Sequence, residues 1–523
     1  PPDAFAFAEL RLDLPGDQAA NVEGFLGAIP GMDISGGGIG AIVDQLALAG
    51  EGPFEGGAER MDDWDWIDGT LMLGFPDVPP VEVLFVGDME DVPAGLERPY
   101  AVAAIGIADR AAFDVAWPQI WDGIGEDASE EYGGTTSWTA LDEGETTVAA
   151  VAGDLLLLGM DVDRIKAAVD LVNAGGPSLA QDPAYLATIA TLPADRLGTF
   201  VISTGVLRDV LPGAVEALMA GQDELEAATP QLLEAVAALP DHVAGVIRAE
   251  PDHLSARIVA ALPEDAELAV GSSDLAELAP ADSVLFLEAR DVGAALKAAF
   301  GQARPALETQ IDAESLMQIE MLLGGALDDL LAWAGDLALS VSFDASGPSF
   351  GIVAEVTDPV AAEQRISGIL ALVRMVALGA EESPIIIDDT TAGEVAITSI
   401  ELTEASGMTD ELPVAPRITV GLGGGHFFLG LGDFAIEAAT RAPADSLAAD
   451  PSYQAGVAAA SAENAGYLWV DVPGLLGLAA LVDPGGEMDA EALAMVGTIV
   501  SSLVAVLDVE EGNGSAALLL VRG

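Results

Sequence analysis

The chain contains three histidines, His242, His253 and His426, the side chains best suited to bind a metal or transfer protons near neutral pH. None of them stands in an HExxH motif or in another spacing typical of metal ligands. His242 and His253 lie on either side of a predicted hairpin, and His426 lies in a predicted strand. We interpret all three as surface or strand-edge residues.

The acidic segment Asp62-Asp63-Trp64-Asp65-Trp66-Ile67-Asp68-Gly69 is the best candidate for a metal site. Calcium binds several oxygen ligands, and an Asp-x-Asp pattern followed by Asp-Gly is similar to a calcium-binding loop. However, Ile67 stands where an EF-hand would place a ligand, and no glutamate follows at the twelfth position. The pattern therefore favours an acidic loop ahead of a strand, with Trp66 packed inward, and leaves calcium as the alternative.

Glycine runs at Gly421–Gly425 and Gly36–Gly38 could cradle a phosphate, but neither ends in the Gly-Lys-Ser/Thr of a P-loop. The first run leads into a predicted strand, whereas a dinucleotide-binding loop leads into a helix. The sequence thus predicts turns at both runs, and it indicates no catalytic residue, no metal site and no cofactor.

Two pairs of tryptophans could line a carbohydrate or apolar pocket, namely Trp64/Trp66 and Trp117/Trp121. The near-helical spacing of Trp117 and Trp121 is more typical of a core, because residues four apart lie on one face of a helix.

Alternating apolar residues predict strands, and Asp-Pro pairs predict the first turns of helices. The predicted strands are Phe5–Asp13, Thr70–Gly74, Val81–Gly87, Ala101–Ile107, Leu337–Phe343 and Gly351–Val356. The predicted helices are Gln231–Leu239, Ala361–Leu378 and those that begin at Asp182-Pro183, Asp358-Pro359 and Asp450-Pro451. We expect hairpins near Pro251-Asp252 and Glu511–Gly514, and a buried helix over the apolar run Ala492–Leu507.

Much of the sequence occurs twice. The segment Ser178–Tyr185 returns as Ser446–Tyr453, and neighbouring blocks return in the same order. A repeat of about half the chain indicates two domains rather than a solenoid. The sequence therefore predicts an α+β protein with two tandem-duplicated domains, 1–270 and 271–523, in which antiparallel sheets pack against helices.

The chain combines a high content of apolar residues with a large negative net charge. Hydrophobic residues make up 51% of the chain, and 86 acidic residues against 18 basic ones give a net charge of −68. Such a surface repels itself unless salt screens it, so we expect salt tolerance. Clustered Lys and Arg are missing, which excludes nucleic acid as a partner and disfavours an anionic membrane surface. Divalent cations could still bind the acidic surface.

No cysteine is present, which excludes disulfides and thiolate chemistry. The chain begins Pro1-Pro2 without methionine, so we expect an upstream segment, either an export signal or a membrane anchor.

The opening block Phe7–Gln18, continued by Asn21–Leu26, resembles the start of a bacterial envelope family called domain of unknown function 3352. The elements Trp333–Asp336, Asp182–Tyr185 and Asp450–Tyr453 are similar to that family's pattern. The resemblance implies an N-terminal signal or transmembrane anchor, and it implies no activity and no functional residues.

Three functions follow as hypotheses. The first is a non-catalytic, exported protein of the cell envelope or the extracellular space that self-associates, or binds other envelope proteins, as a surface or filament subunit. The second is a binding module or carrier that holds an apolar ligand between sheet and helices. The third is a hydrolase that uses a carboxylate pair.

Overall fold

The computed structural model describes residues 4–27, 66–75, 101–121, 126–142, 145–205, 208, 242–261, 268–310, 317, 320, 325–326, 329–344, 347–379, 385–403, 417–461, 463–482, 497–510 and 513–522. Its internal contacts divide the chain into two compact units, Pro1–Pro263 and Glu264–Gly523. The sequence predicts this division after residue 270.

The first unit is built on antiparallel strands. Their bounds are β1 Ala6–Arg11, β2 Ile67–Phe75, β3 Val102–Ile107, β4 Glu126–Tyr132, β5 Thr135–Asp142, β6 Glu145–Ala152, β7 Leu155–Gly159, β8 Gly198–Ser203, β9 His242–Ala249 and β10 His253–Ala261. Neighbouring strands pair in the order β4-β5-β6-β7-β3-β2-β1-β8-β9-β10. Its described helices are α1 Gln18–Leu26, α2 Arg110–Trp121, α3 Val162–Ala174 and α4 Pro183–Ala190.

The second unit is also antiparallel. Its strands are β11 Ser283–Ala289, β12 Ala334–Asp344, β13 Gly347–Val356, β14 Ile385–Ala392, β15 Val395–Leu402, β16 Arg417–Gly423, β17 His426–Leu431, β18 Gly466–Asp471, β19 Val500–Glu510 and β20 Asn513–Arg522. They pair in the order β14-β15-β16-β17-β13-β12-β11-β18-β19-β20. Its described helices are α5 Val292–Gln310, α6 Pro359–Gly379, α7 Phe434–Thr440, α8 Pro451–Ala459 and α9 Val472–Val482.

The described strands of the two units thus pair in the same order, from β4 to β10 in the first unit and from β14 to β20 in the second. Helices cover the sheets, so the predicted α+β class with antiparallel sheets is confirmed. In the first unit, α2 packs over one face of β5, β6 and β7, and α3 packs over a second apolar cluster on β6 and β7. In the second unit, α6 lies over residues of β12, β13, β16 and β17.

The predicted helix starts are confirmed by their capping hydrogen bonds. The Asp182 carboxylate accepts from the backbone N–H of Ala184 at 2.8 Å, and the Asp450 carboxylate accepts from that of Tyr453 at 2.9 Å. A proline follows each aspartate. Proline has no backbone N–H, and it is tolerated in the first turn of a helix because the N–H groups of that turn have no partner within the helix. The predicted helix Ala361–Leu378 lies within α6.

The expectation of a buried helix over Ala492–Leu507 is wrong from Val500 onward, because β19 begins there and continues to Glu510. Residues 497–499 are helical, and residues 492–496 lie outside the described residues. Alternate residues of this strand are buried, namely Ser502, Val504, Val506 and Asp508, which is the period of a strand. The β-branched valines favour this conformation, and pairing with β18 and β20 on either side stabilises it.

The predicted hairpins are present: β9 and β10 turn at Pro251-Asp252, and Glu510 pairs with Asn513 at the last turn. The predicted strand Val81–Gly87, the predicted helix Gln231–Leu239 and the run Gly36–Gly38 lie outside the described residues. Within the part of the chain that is described, no helix combines the length and the apolar character that crossing a bilayer requires.

Candidate functional site

An open cleft of about 570 Å³ lies in the second unit, between helix α6 and the sheet strands β14, β15 and β16. The apolar cluster that packs α6 against the sheet also supplies part of the cleft lining, including Ile366, Leu370 and Val420. Clefts of this size between helix and sheet are typical binding sites for small molecules.

Helix α6 forms the roof of the cleft with one stripe of side chains. The stripe consists of Pro359, Glu363, Ile366, Leu370 and Arg374, which recur at three or four residues and therefore share a helix face. At 1.5 Å per residue, the distance from the first to the last is about 22 Å. The cleft is therefore elongated, with apolar side chains in its middle and charged ones towards its ends.

The sheet forms the floor with residues that face each other across neighbouring strands. Thr398 of β15 pairs with Asp389 on one side and with Val420 on the other, and Ala396 pairs with Leu422. All five line the cleft. The floor is thus apolar along β16 and polar at β14.

An ion pair closes the β14 end of the cleft. Nη2 of Arg374 donates to both carboxylate oxygens of Asp389, at 2.7 and 2.9 Å, and the Thr398 hydroxyl donates to Oδ1 of the same carboxylate at 2.8 Å. Nε and Nη1 of Arg374 have no hydrogen-bond partner among the described residues. Because the two side chains are 42% and 65% exposed, this pair stabilises the fold by less than about 1 kcal/mol.

The opposite end of the cleft is made of the glycine run that connects β16 to β17. Gly424 and Gly425 have φ angles of +62° and +85°, a region that L-residues with a side chain rarely adopt. The run is therefore a tight turn, as the sequence predicts. His426, the first residue of β17, follows it and also lines the cleft.

The first unit has a counterpart of this site between α2 and the sheet. The Asp109 carboxylate accepts from the N–H groups of Ala111 and Ala112 at 2.9 and 3.0 Å. The Asp358 carboxylate accepts in the same way from Val360 and Ala361 at 3.1 and 3.0 Å. Residues of α2 and α6 can therefore be matched by their distance along the chain from Asp109 and Asp358.

Counted from these caps, Trp117 and Trp121 of α2 occupy the positions of Ile366 and Leu370 in α6. The hairpin register gives the third correspondence. Trp138 stands opposite Ser129 and Ala149 in β5, as Thr398 stands opposite Asp389 and Val420 in β15. Three indoles of the first unit thus stand where the second unit has an isoleucine, a leucine and a threonine.

The three indoles pack on one another in the first unit. The ring centroids of Trp117 lie 5.5 Å from Trp121 and 5.9 Å from Trp138, and those of Trp121 and Trp138 are 6.5 Å apart. Trp117 and Trp121 are buried, together with Phe113 and Trp66, which confirms that this helical pair belongs to a core. The cleft of the second unit therefore lies where the first unit is filled with aromatic rings.

The other residues singled out from the sequence are separate from this cleft. His242 and His253 begin β9 and β10 in the first unit, and Nδ1 of His253 lies 2.8 Å from the Asp252 carboxylate. Of the acidic segment, Asp62–Asp65 lies outside the described residues, while Trp66 is buried and Ile67–Gly69 belongs to β2. No group of three or more His, Asp or Glu side chains suited to a metal ion occurs in the described ranges.

A second polar cluster is buried in the core of the second unit, and sequence reasoning missed it. The Glu288 carboxylate accepts from the Tyr467 hydroxyl at 3.0 Å and contacts the Arg290 guanidinium, which also donates to Asp336 at 3.2 Å. The hydroxyls of Tyr453 and Tyr467 contact each other. The Phe-x-Glu-x-Arg pattern at 286–290 was the available signal, because alternate residues of a strand share one face.

This cluster is closed to solvent. The side chains of Glu288 and Arg290 are 0% and 4% exposed, so no substrate reaches the carboxylate. Burial raises the pKa of Tyr453 and of Tyr467 above the usual range, and the Glu288 carboxylate raises both further. The cluster therefore ties β11, β18 and α8 together as a structural unit.

Comparison with known proteins gives one match that covers most of the chain. Residues 65–491 match the family model described as "Protein of unknown function (DUF3352)". No curated protein matches the chain. The solved structure described as "Structure of crystal form I of TP0453" is 10% identical with a TM-score of 0.25, covering 50% of this chain and 77% of that one. Crystal form III of TP0453 gives 9% identity and a TM-score of 0.23, with 48% and 81% covered.

Proposed function

This chain belongs to the family of proteins of unknown function named DUF3352, and we propose that it is a non-catalytic binding protein whose second unit holds a small, largely apolar ligand in the cleft under α6. The observation that carries this proposal is the difference between the units. The same position is filled by three tryptophans in the first unit and is open in the second.

The lining of the cleft supports an apolar ligand. Ile366, Leu370, Val420 and Leu422 present aliphatic side chains, which gain about 25 cal/mol for each Å² that a ligand removes from water. The polar side chains stand at the two ends, an arrangement that fixes the orientation of a ligand. The Asp389 carboxylate is held by Arg374 and Thr398, which suits it to positioning rather than to proton transfer.

Titration with Nile red, a neutral apolar dye whose fluorescence rises in apolar surroundings, tests this proposal on the full chain. We expect saturable binding to the native protein. Thr398→Trp places an indole where the first unit has Trp138, and it should weaken dye binding at least tenfold. Thr440→Trp is the matched control, because Thr440 is exposed on α7, which packs on the opposite face of the sheet.

Equal dye binding by the Thr398→Trp variant and the native protein would contradict the proposal, because the dye would then bind elsewhere. Circular dichroism and the urea midpoint of the variant check that a loss of binding is not a loss of fold.

Self-association in the cell envelope is the second candidate function. Its support is a set of exposed leucines on three strands of the second unit: Leu287 is 41% exposed, Leu507 is 54% and Leu518 is 43%. Exposed apolar side chains on one sheet favour contact with another protein surface. The acidic composition and the absence of cysteine suit an exported protein, at the cell surface or outside the cell.

Analytical ultracentrifugation in about 1 M salt, where the screening length is about 3 Å, tests this candidate with and without calcium. We expect oligomers of the native chain, and a shift to monomer in Leu507→Glu. A single monomeric species under all of these conditions would remove the self-association role. Fractionation of source cells with an antibody tests export, which a wholly cytosolic location contradicts.

The duplication of a single ancestral domain is also part of the proposal. It is supported by the common strand order, by the Asp-Pro helix starts at 182–183 and 450–451, and by the paired caps Asp109 and Asp358. An experimental structure in which the ten strands of one unit fail to superimpose on those of the other would contradict it.

A further inference from the structure

Among the described residues that line the cleft, Arg374 is the one arginine or lysine, in a chain that has only 18 basic residues in 523. It stands at the end of the helix stripe, beyond the aliphatic side chains of Ile366 and Leu370. A positive charge at the end of an apolar cleft is the arrangement that recognises a molecule with one charged end.

The hydrogen bonds of Arg374 leave half of its guanidinium unused. Asp389 takes both of its bonds from Nη2, at 2.7 and 2.9 Å, whereas a side-on pair would use two nitrogens of the fork. Nε and Nη1 have no partner among the described residues, and the side chain remains 42% exposed. Nη1 or Nε can therefore donate a hydrogen bond to a second anion while Nη2 keeps its bonds to Asp389.

Asp389 holds Arg374 in this orientation. Its carboxylate receives the two bonds from Nη2 and a third from the Thr398 hydroxyl at 2.8 Å, and Thr398 is fixed in the middle of the β14–β15–β16 register. The Asp389 carboxylate already accepts three hydrogen bonds, whereas Arg374 has unused N–H groups. We therefore expect Asp389 to attract a cationic ligand less strongly than Arg374 attracts an anionic one.

We infer that the ligand of the cleft is an amphiphile with a single anionic head group, a carboxylate or a phosphate monoester, which accepts a hydrogen bond from Nη1 or from Nε of Arg374 while the apolar part lies under α6 along Ile366, Leu370 and Leu422. This inference rests on the proposed binding function and names the chemical class of the ligand. A chain with a net charge of −68 repels anions in general, so a preference for an anion must come from a specific cation.

Isothermal titration calorimetry of the full chain tests the head group with four probes of equal chain length: decanoate, monodecyl phosphate, decanol and decyltrimethylammonium, each below its micelle concentration. We expect decanoate or monodecyl phosphate to bind about tenfold tighter than decanol, since a hydrogen bond to a charged group supplies about that factor. Which of the two anions binds tighter identifies the head group. Tighter binding of decanol or of the cationic probe would overturn the inference.

Arg374→Gln should weaken the binding of the anionic probes about tenfold and that of decanol less than twofold. Arg417→Gln is the matched control, because Arg417 also pairs with a carboxylate, that of Asp433 at 2.6 Å, is 39% exposed, and lies outside the cleft. An equal loss for decanoate and decanol in Arg374→Gln, or no loss for either, would contradict the inference.

A double variant separates the role of Arg374 from that of the freed Asp389 carboxylate. Arg374→Gln/Asp389→Asn removes both charges and should bind decanoate as weakly as Arg374→Gln alone. Restored binding would mean that Asp389 repels the probe and that Arg374 does not hold it. The failure of the binding function itself looks different, because then no probe, decanol included, responds to Thr398→Trp.

Discussion

In the first unit, three indole rings fill the space between α2 and the sheet, whereas in the second unit the corresponding space under α6 is an open cleft. The two spaces have the same surroundings: an aspartate caps each helix, and the strands beneath it pair in the same order. The difference is therefore one of side-chain volume at the positions of Trp117, Trp121 and Trp138.

This difference shows that the fold does not require an aromatic core between the helix and the sheet. In the second unit, the cluster around Trp333 and Phe427 holds the first turns of α6 on the sheet, and the helix continues beyond it to Gly379. In the proposed function, the same architecture serves as a rigid unit when the space is filled and as a binding unit when it is open.

The largest expected effect comes from emptying the filled space. Trp121→Ala should lower the free energy of unfolding of the first unit by about 4 kcal/mol, because the ring is 2% exposed and its removal leaves a closed cavity. Leu370→Ala at the corresponding place should cost about 1 kcal/mol, because this side chain already faces an open cleft.

Urea unfolding of the full chain, with hydrogen-exchange mass spectrometry to assign the loss to one unit, measures both variants. Equal costs for the two substitutions would mean that the cleft is closed in solution.

A second difference between the units concerns a glutamate and an arginine at the ends of β1 and β11. Glu288 and Arg290 are buried, where Glu288 bonds to Tyr467 and Arg290 to the partly exposed Asp336, whereas the counterpart Arg11 is 32% exposed and pairs with Asp13 at 3.7 Å. Arg290→Met leaves the Glu288 carboxylate buried without its cation and should cost about 3 kcal/mol.

Arg11→Met should cost less than about 1 kcal/mol, since its ion pair is exposed to solvent. The two urea midpoints give this comparison directly. If Arg290→Met were as mild as Arg11→Met, then water would reach the polar cluster, and the description of a closed core in the second unit would be wrong.

The tyrosine pair distinguishes the units in alkaline solution. Tyr467 pairs with Glu288 across β18 and β11, while Thr199 stands opposite Glu9 in the first unit. Burial raises the pKa of Tyr453 and Tyr467 above the ordinary value of about 10. The folded protein thus holds these protons more tightly than the unfolded chain, so the stability they contribute is present below pH 10 and is lost as the pH rises towards the folded pKa.

Between pH 9 and 11, where tyrosines of the unfolded chain ionise, each of the two should lower the free energy of unfolding of the second unit by about 1.4 kcal/mol in total. Urea unfolding between pH 9 and 11 (about one unit on either side of the ordinary value) measures this slope. The double variant Tyr453→Phe/Tyr467→Phe should flatten it, and an unchanged slope in that variant would assign the alkaline loss to other groups.

Much of the fold could be predicted from the sequence, because its signals are local. The alternation in Phe5–Asp13 predicts β1, and the Asp-Pro pairs predict the starts of α4, α6 and α8. The apolar run at Ala492–Leu507 misled the prediction, since a continuous apolar stretch is compatible with both helix and strand until its pairing partners are known. Here pairing with β18 and β20 on either side stabilises residues 500–507 as a strand.

The cleft could not be predicted, because it depends on the alignment of α2 with α6 and of β5 with β15. The spacing of Trp117 and Trp121 predicts a core, but nothing about Ile366 and Leu370 in the sequence predicts a cavity. Only the common caps and the hairpin register place these residues at corresponding positions. The buried Glu288 cluster was missed for a related reason, because its members come from four separate segments of the chain.

The smallest expected effect tests whether the cleft is open without a ligand. Thr398→Trp adds a large ring to the floor of the second unit, and in a closed core such overpacking costs about 1–3 kcal/mol. Because the cleft already offers about 570 Å³, we expect the ring to find room there and the free energy of unfolding to change by less than about 1 kcal/mol. Trp138→Thr in the first unit is the reverse exchange, and it should cost more than this because it removes the ring contacts of Trp138 with Trp117 and Trp121. A loss above about 2 kcal/mol in Thr398→Trp, measured by urea unfolding without ligand, would show that α6 closes on the sheet and that a ligand must push it open.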